Sequence, residues 1–102
     1  MYKRQALTWL ENIGYCGRGE GGAFVADHFD HETQRLWIGG RPVNTHGGSL
    51  SEGGTQGAGH LYESCLQLRG QAGPRQVEDV RTCLVTPGGH FFNSQGFILR
   101  RV

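Results

Sequence analysis

No stretch of this sequence approaches the roughly 18 successive apolar residues that a membrane-spanning helix needs, so no membrane segment is expected. Nor is there an excess of charge of one sign. Ten Lys and Arg face nine Asp and Glu, leaving a net charge of +1. Beyond the first five residues, and apart from the adjacent Arg100 and Arg101, the basic residues are scattered. No phosphate-tracking face can be built from them, and nucleic acid is excluded as an expected partner. Cysteines number three, an odd count at irregular spacing that makes no disulfide framework. A reducing, cytoplasmic setting and no secretory leader are therefore expected.

Glycine is what the chain has in plenty: 18 of 102 residues. They make no repeat of the collagen, blade or solenoid kind. Their use is therefore local, in tight turns and in places where backbone or ligand must come close. At 102 residues the chain is one domain or less.

Residues 1–5 do not share the pattern of the rest of the chain and are set apart as a non-native leader, with the domain running over residues 6–102. From Ala6, the residues Leu7, Leu10 and Ile13 recur at helical spacing, and Gly14 stands where a helix stops. The segment GYCGRGEGGAFV reads as a Gly-rich loop entering a short apolar piece. Residues 27–41 are polar, mixed and without period, which predicts a surface excursion.

Residues 42–44 read as a short buried strand running into a Gly-rich loop. After it Ala58, Leu61, Tyr62, Cys65, Leu66 and Leu68 take the spacing of an apolar helix face, and Gly70 stands next as a C-terminal stop. Residues 80–86 predict a strand, broken by Pro87, Gly88 and Gly89. Residues 96–101 predict a last one. The order of elements is that of an α/β layered domain.

Strand, Gly-rich loop and helix form the informative unit. Six of the fourteen residues from Gly47 to His60 are glycine, and a helix opening straight after such a loop presents N–H groups to negative charge. Candidate site residues are His46, the titratable group beside the double glycine, with Asn44, Gly47, Gly48, Gly53 and Gly54. Gly88 and Gly89 join them because ligands of α/β sheets gather where strands end. Glu52 is a weaker companion to His46. His60, Cys16 and Cys65 read better as packed residues. The run Asp27, His28, Phe29, Asp30, His31 offers metal-ligating groups that one short segment cannot converge, with no second cluster to complete a set, so no metal is expected.

The segment VNTHGGSLSEGGTQGAG is similar to a thiolase loop that reads V-N-x-x-G-G-x-x-x-x-G-H-P-x-G-x-x-G. With QLRG, AGPRQV, ENIGYCGRGE and LVTPGG around it, the chain resembles the C-terminal part of thiolases of the sterol-carrier and lipid-transfer type, over residues 6–102. That resemblance implies an incomplete α/β/α layered, mixed-sheet fold, completed by an N-terminal thiolase half. It implies a coenzyme A thioester as substrate, no bound cofactor, and a dimer or tetramer when whole. It also implies that a backbone N–H at Gly88 or Gly89 helps hold the thioester oxyanion, since Pro87 has none.

Two departures bear on the chemistry. The family's loop histidine falls on Gly54, and its second catalytic cysteine falls on Val85 or Thr86, with Cys83 two or three residues early. The resemblance leaves three readings: a lipid or sterol side-chain acyltransferase supplying part of the thioester cradle; a retro-aldolase that dispenses with those groups and works with a small OB-fold partner protein; or a non-catalytic lipid-binding subunit.

Overall fold

The computed structural model describes residues 2–54, 57–90 and 93–102. Helix α1 (Tyr2–Asn12) begins earlier than the periodicity from Ala6 suggests and closes at Gly14, whose φ of 90° only glycine takes readily. Helix α2 (Gly21–His28) lies against it. Gly21 is buried against the first helix, where a Cβ would meet Glu11 Oε1 and the Leu7 carbonyl oxygen. Its N–H donates to Glu11 Oε1 at 3.1 Å, so a carboxylate of the first helix satisfies an otherwise orphaned donor at the start of the second.

The surface excursion expected over residues 27–41 is instead the end of α2 and then an antiparallel meander: β1 (Phe29–Asp30), β2 (Arg35–Ile38) and β3 (Arg41–Val43). Leu36 pairs with Phe29 on one side and Val43 on the other. The strands escaped the pattern because all four residues of β2 are half-buried, so neither face shows the polar alternation of a solvated sheet. Gly39 and Gly40, with φ of 55° and 73°, make the tight hairpin that joins β2 to β3.

A one-turn helix, α3 (Ser49–Glu52), interrupts the loop after β3. Helix α4 (Ala58–Arg69) stands where the spacing predicts, and Gly70 ends it in the left-handed conformation. The N–H groups of Gly70 and Gln71 donate to the carbonyls of Gln67 and Leu66, satisfying the last free acceptors in a Schellman motif. The buried face differs from expectation. Gly59, Glu63, Gln67 and Leu68 point inward, whereas Leu61 and Tyr62 are 39% and 66% exposed.

After a 3₁₀ turn (Gly73–Arg75), β4 (Thr82–Val85) pairs antiparallel with β7 (Phe97–Arg100), Cys83 opposite Leu99 and Leu84 opposite Ile98. Val85 is buried and Cys83 half-buried, while Leu84 faces out. Between them β5 (Gly88–His90) and β6 (Asn93–Ser94) form a small bulged ladder. Phe91 and Phe92 lie outside the described residues. The domain is α/β, and every ladder among the described residues is antiparallel. No helix among them is long and apolar enough to cross a membrane.

The glycines divide into required and incidental ones. Gly57 has a φ of 93°, and a Cβ there would collide with the Pro87 ring. Gly22 sits inside α2 with open space around it. Gly57→Ala is expected to destabilise the chain by about 1–3 kcal/mol, and Gly22→Ala to stabilise it by up to about 1 kcal/mol. Paired thermal melts check the opposite signs.

Candidate functional site

The site is built where β3 ends. Asn44 turns the chain with a φ of 52°, and its carbonyl accepts the Gly47 N–H at 2.9 Å. Gly47 and Gly48 continue at positive φ, and Gly48 is buried. Ser51 of α3 donates its hydroxyl to the Gly47 carbonyl at 3.2 Å, in the space a Gly47 side chain would need.

This turn sorts its side chains. Asn44 is exposed. Thr45 reaches inward to α4, and His46 lies edge-on against His60 of α4, with ring centroids 4.7 Å apart and planes at 82°. His60 is thus a packing partner of the candidate histidine.

A cavity of about 380 Å³ opens beside this turn. Val43, Asn44, Thr45, His46 and Gly47 form one wall, the residues Thr33, Gln34, Arg35 and Leu36 of the meander form another, and Arg75 closes it. Most of the lining is polar, so the cavity suits hydrogen-bonding or charged groups more than bare hydrocarbon.

Beneath it lies a buried polar network that spacing alone did not reveal. Glu63, 5% exposed, takes two hydrogen bonds from the Arg75 guanidinium, at 3.2 Å from Nε and 3.0 Å from Nη2. It takes a third from the Thr45 hydroxyl at 2.8 Å and a fourth from Gln67 at 3.2 Å. The Gln67 amide also donates to the Arg75 carbonyl, and its oxygen accepts the Val77 N–H. Burial opposes ionisation of Glu63, but the hydrogen bonds from Arg75, Thr45 and Gln67 and the charge of Arg75 outweigh it and hold the carboxyl below the usual range. One signal was visible in the sequence: Glu63 and Gln67 stand four apart, hence on one face of α4.

The other candidates fall elsewhere. Gly53 and Gly54 come after α3, are exposed, and line no part of the cavity. The Glu52 side chain and residues 55–56 lie outside the described residues. Gly88 and Gly89 sit in β5, and the Gly88 carbonyl accepts the Trp9 indole N–H at 3.2 Å. Contact of Gly57 with Pro87 joins the Gly-rich loop to this second turn.

Cys83 faces α4, its sulfur 4.0 Å from the Ser64 carbonyl. Burial, helped by Cys65 and opposed by the Ser64 contact, pushes its thiol up and away from thiolate formation. Burial and the carboxylates of Glu11 and Glu20 do the same to Cys16.

The Asp27 to His31 run serves local structure. His28 stacks on Phe24 and bonds to its carbonyl. Asp30 accepts from the Thr33 hydroxyl and the Glu32 N–H, which hold its carboxyl low. Among the described residues no group of three or more His, Cys, Asp or Glu could hold a metal.

A family model, "Thiolase C-terminal domain-like", matches residues 1–101. The chain belongs to that thiolase family. It is 41% identical over 83 residues to the 17-hydroxy-3-oxo-4-pregnene-20-carboxyl-CoA lyase of Mycobacterium tuberculosis, covering 80% of this chain and 20% of that protein. Identity to the steroid side-chain-cleaving aldolase of Thermomonospora curvata is 42% over 83 residues, covering 80% and 19%. Identity to sterol carrier protein 2 of Rattus norvegicus is 36% over 86 residues, covering 81% and 15%. The chain spans about a fifth or less of the length of these relatives. Within this thiolase-type domain, Gly54, where the resemblance puts the family's loop histidine, is exposed.

Arg75 is 41% exposed while the Glu63 carboxylate it meets is buried, so removing it leaves that carboxylate short of two donors. Arg75→Ala is therefore expected to lower stability by about 1–3 kcal/mol, and Glu63→Gln by less. Because the folded carboxyl of Glu63 lies below its unfolded value, its contribution is present in full above about pH 5 and is lost as pH falls through the folded value. Urea melts from about pH 7 to about pH 3 should show the native chain losing stability below the carboxylate range, with a flatter profile in Glu63→Gln.

Proposed function

We propose that this domain belongs to an acyl-CoA enzyme that cleaves a carbon–carbon bond of a steroid-like side chain by retro-aldol chemistry, and that its cavity beside His46 receives the polar thioester end. One observation carries the reading: in the described residues no thiol faces the cavity. Cys83 is turned into α4 with its thiol pushed up, and Gly54 supplies no imidazole. Thiolysis needs an activated thiol; retro-aldol cleavage does not. A base takes the proton of a β-hydroxyl, the Cα–Cβ bond breaks, and its electron pair passes to the thioester oxygen. The resulting enolate is protonated at Cα, giving a ketone or aldehyde and a shortened acyl-CoA. The similarity to a steroid side-chain-cleaving aldolase and to a CoA-ester lyase supports the same choice.

In this reading His46 is the titratable group nearest the thioester, either as the base or as a donor to the developing oxyanion. Thr45, Glu63 and Arg75 fix the turn that carries it. Coenzyme A enters as part of the substrate, with no resident cofactor. The rest of the catalytic apparatus, a dimeric or tetrameric assembly and a small OB-fold partner belong to the same proposal. Three free cysteines suit a reducing cytoplasm. The family match also supports a second reading, a lipid or sterol acyltransferase whose thiols come from outside this domain.

The two readings separate on one reagent. The polypeptide carrying this chain should release a carbonyl product from a β-hydroxyacyl-CoA with no added free coenzyme A; strict dependence on free coenzyme A establishes thiolysis instead. In the same assay His46→Ala should lower turnover by about 10²–10⁴-fold while circular dichroism shows the variant still folded. Unchanged turnover removes His46 from the chemistry.

A further inference from the structure

Phe29, Leu36 and Val43 stand opposite one another across β1, β2 and β3, and residues paired in this way put their side chains on one face of the sheet. Trp37 and Pro42 form the next pair along and take the other face. The cavity beside His46 is lined by Leu36 and Val43 but by neither Trp37 nor Pro42, so the first face looks into it. Arg41 lies on that same face, two residues before Val43. Its guanidinium donates to the Glu78 carbonyl at 3.4 Å, which turns the face toward the segment from Arg75 that closes the cavity.

Among the residues that line the cavity, Leu36 and Val43 alone bring wholly aliphatic side chains. Both are half-buried. They make one apolar strip in an otherwise polar surround. Val43 directly precedes Asn44, so the strip and the polar turn are one Cα step, about 3.8 Å, apart. A small strip beside hydrogen-bonding groups matches a ligand whose polar reacting end carries a short hydrocarbon branch. A steroid nucleus, apolar almost throughout, would set most of its surface against polar walls and strand their donors and acceptors. For a thioester seated with its carbonyl on the turn, the branch within reach of the strip is the one on Cα, the carbon bonded to that carbonyl.

We infer that Leu36 and Val43 set how large a group the substrate carries on the carbon next to its thioester carbonyl. This rests on the assignment of the His46 cavity to the thioester end. Each methylene laid on such a strip favours binding about fourfold. The strip is short, however. The next side chain in its row, behind Leu36, is Phe29, which does not line the cavity. A longer branch therefore runs out of apolar surface and meets the polar rim at Gln34 and Arg35. Shortening Leu36 opens the strip toward the Phe29 ring.

The test uses the polypeptide that carries this chain and three β-hydroxyacyl-CoA esters, bearing hydrogen, methyl or propyl at Cα. Specificity is read as the kcat/KM of the propyl ester over that of the methyl ester, a ratio from which the amount of folded enzyme cancels. The native protein should favour methyl by at least about tenfold. Leu36→Ala should raise the propyl-to-methyl ratio about tenfold or more, and Leu36→Val and Val43→Ala should raise it by less. Ile38→Val, on the same face but outside the cavity, should leave it unchanged. An unchanged ratio in Leu36→Ala, with cleavage intact, overturns the inference and leaves the assignment of the cavity standing. An equal rise in Ile38→Val overturns it as well. Where free coenzyme A proves strictly required, the same ratio from thiolysis of the matching β-ketoacyl-CoA esters decides it, because both reactions share the thioester end. Failure of the cavity's own assignment shows separately, as unchanged turnover in His46→Ala, and takes the inference with it.

Discussion

The buried carboxylate of Glu63 is the constraint around which the rest is arranged. A charge taken out of water is unfavourable unless every lone pair is met, and here the donors come from three separate segments: Thr45 at the end of β3, Gln67 one turn along α4, and Arg75 from the 3₁₀ turn. The demand of one group therefore positions the Gly-rich turn, the helix and the loop after it together. It also explains why α4 presents a polar face inward although its sequence carries an apolar face.

Glycine plays the complementary part. Where Glu63 holds the turn from below, Gly47 and Gly48 let the backbone fold tightly over it, and Gly57 lets the loop touch Pro87. The result is a rigid polar wall in which the His46 imidazole, its ring nitrogens buried, rests on a second one.

Much of this was legible. Gly70 announced the end of α4 because only a left-handed residue completes a Schellman motif, and the break at Pro87 and Gly88 comes from a missing donor and a positive φ. The meander was not, since strands half-buried on both sides carry no alternation, although the adjoining Gly39 and Gly40 were a hairpin signal. Nor could spacing reveal that Thr45 and Arg75 converge on Glu63. Those partners stand 18 and 12 residues away, and only the folded topology brings them together. Asn44 and His46 proved to share a cavity wall, but Gly53, Gly54, Gly88 and Gly89 do not line it; glycine content marks where backbone bends, which is a different property from where a ligand sits.

The bond from the Trp9 indole to the Gly88 carbonyl spans 79 positions of sequence. It ties the first helix to the turn after β4, so the two ends of the domain are sewn to each other instead of each being finished locally. Contacts of such separation form late, because most of the chain must already be ordered before they meet. During synthesis the turn at Pro87 would therefore find α1, made before it, waiting for it, and the shape of that turn is inherited from a segment far earlier in the chain.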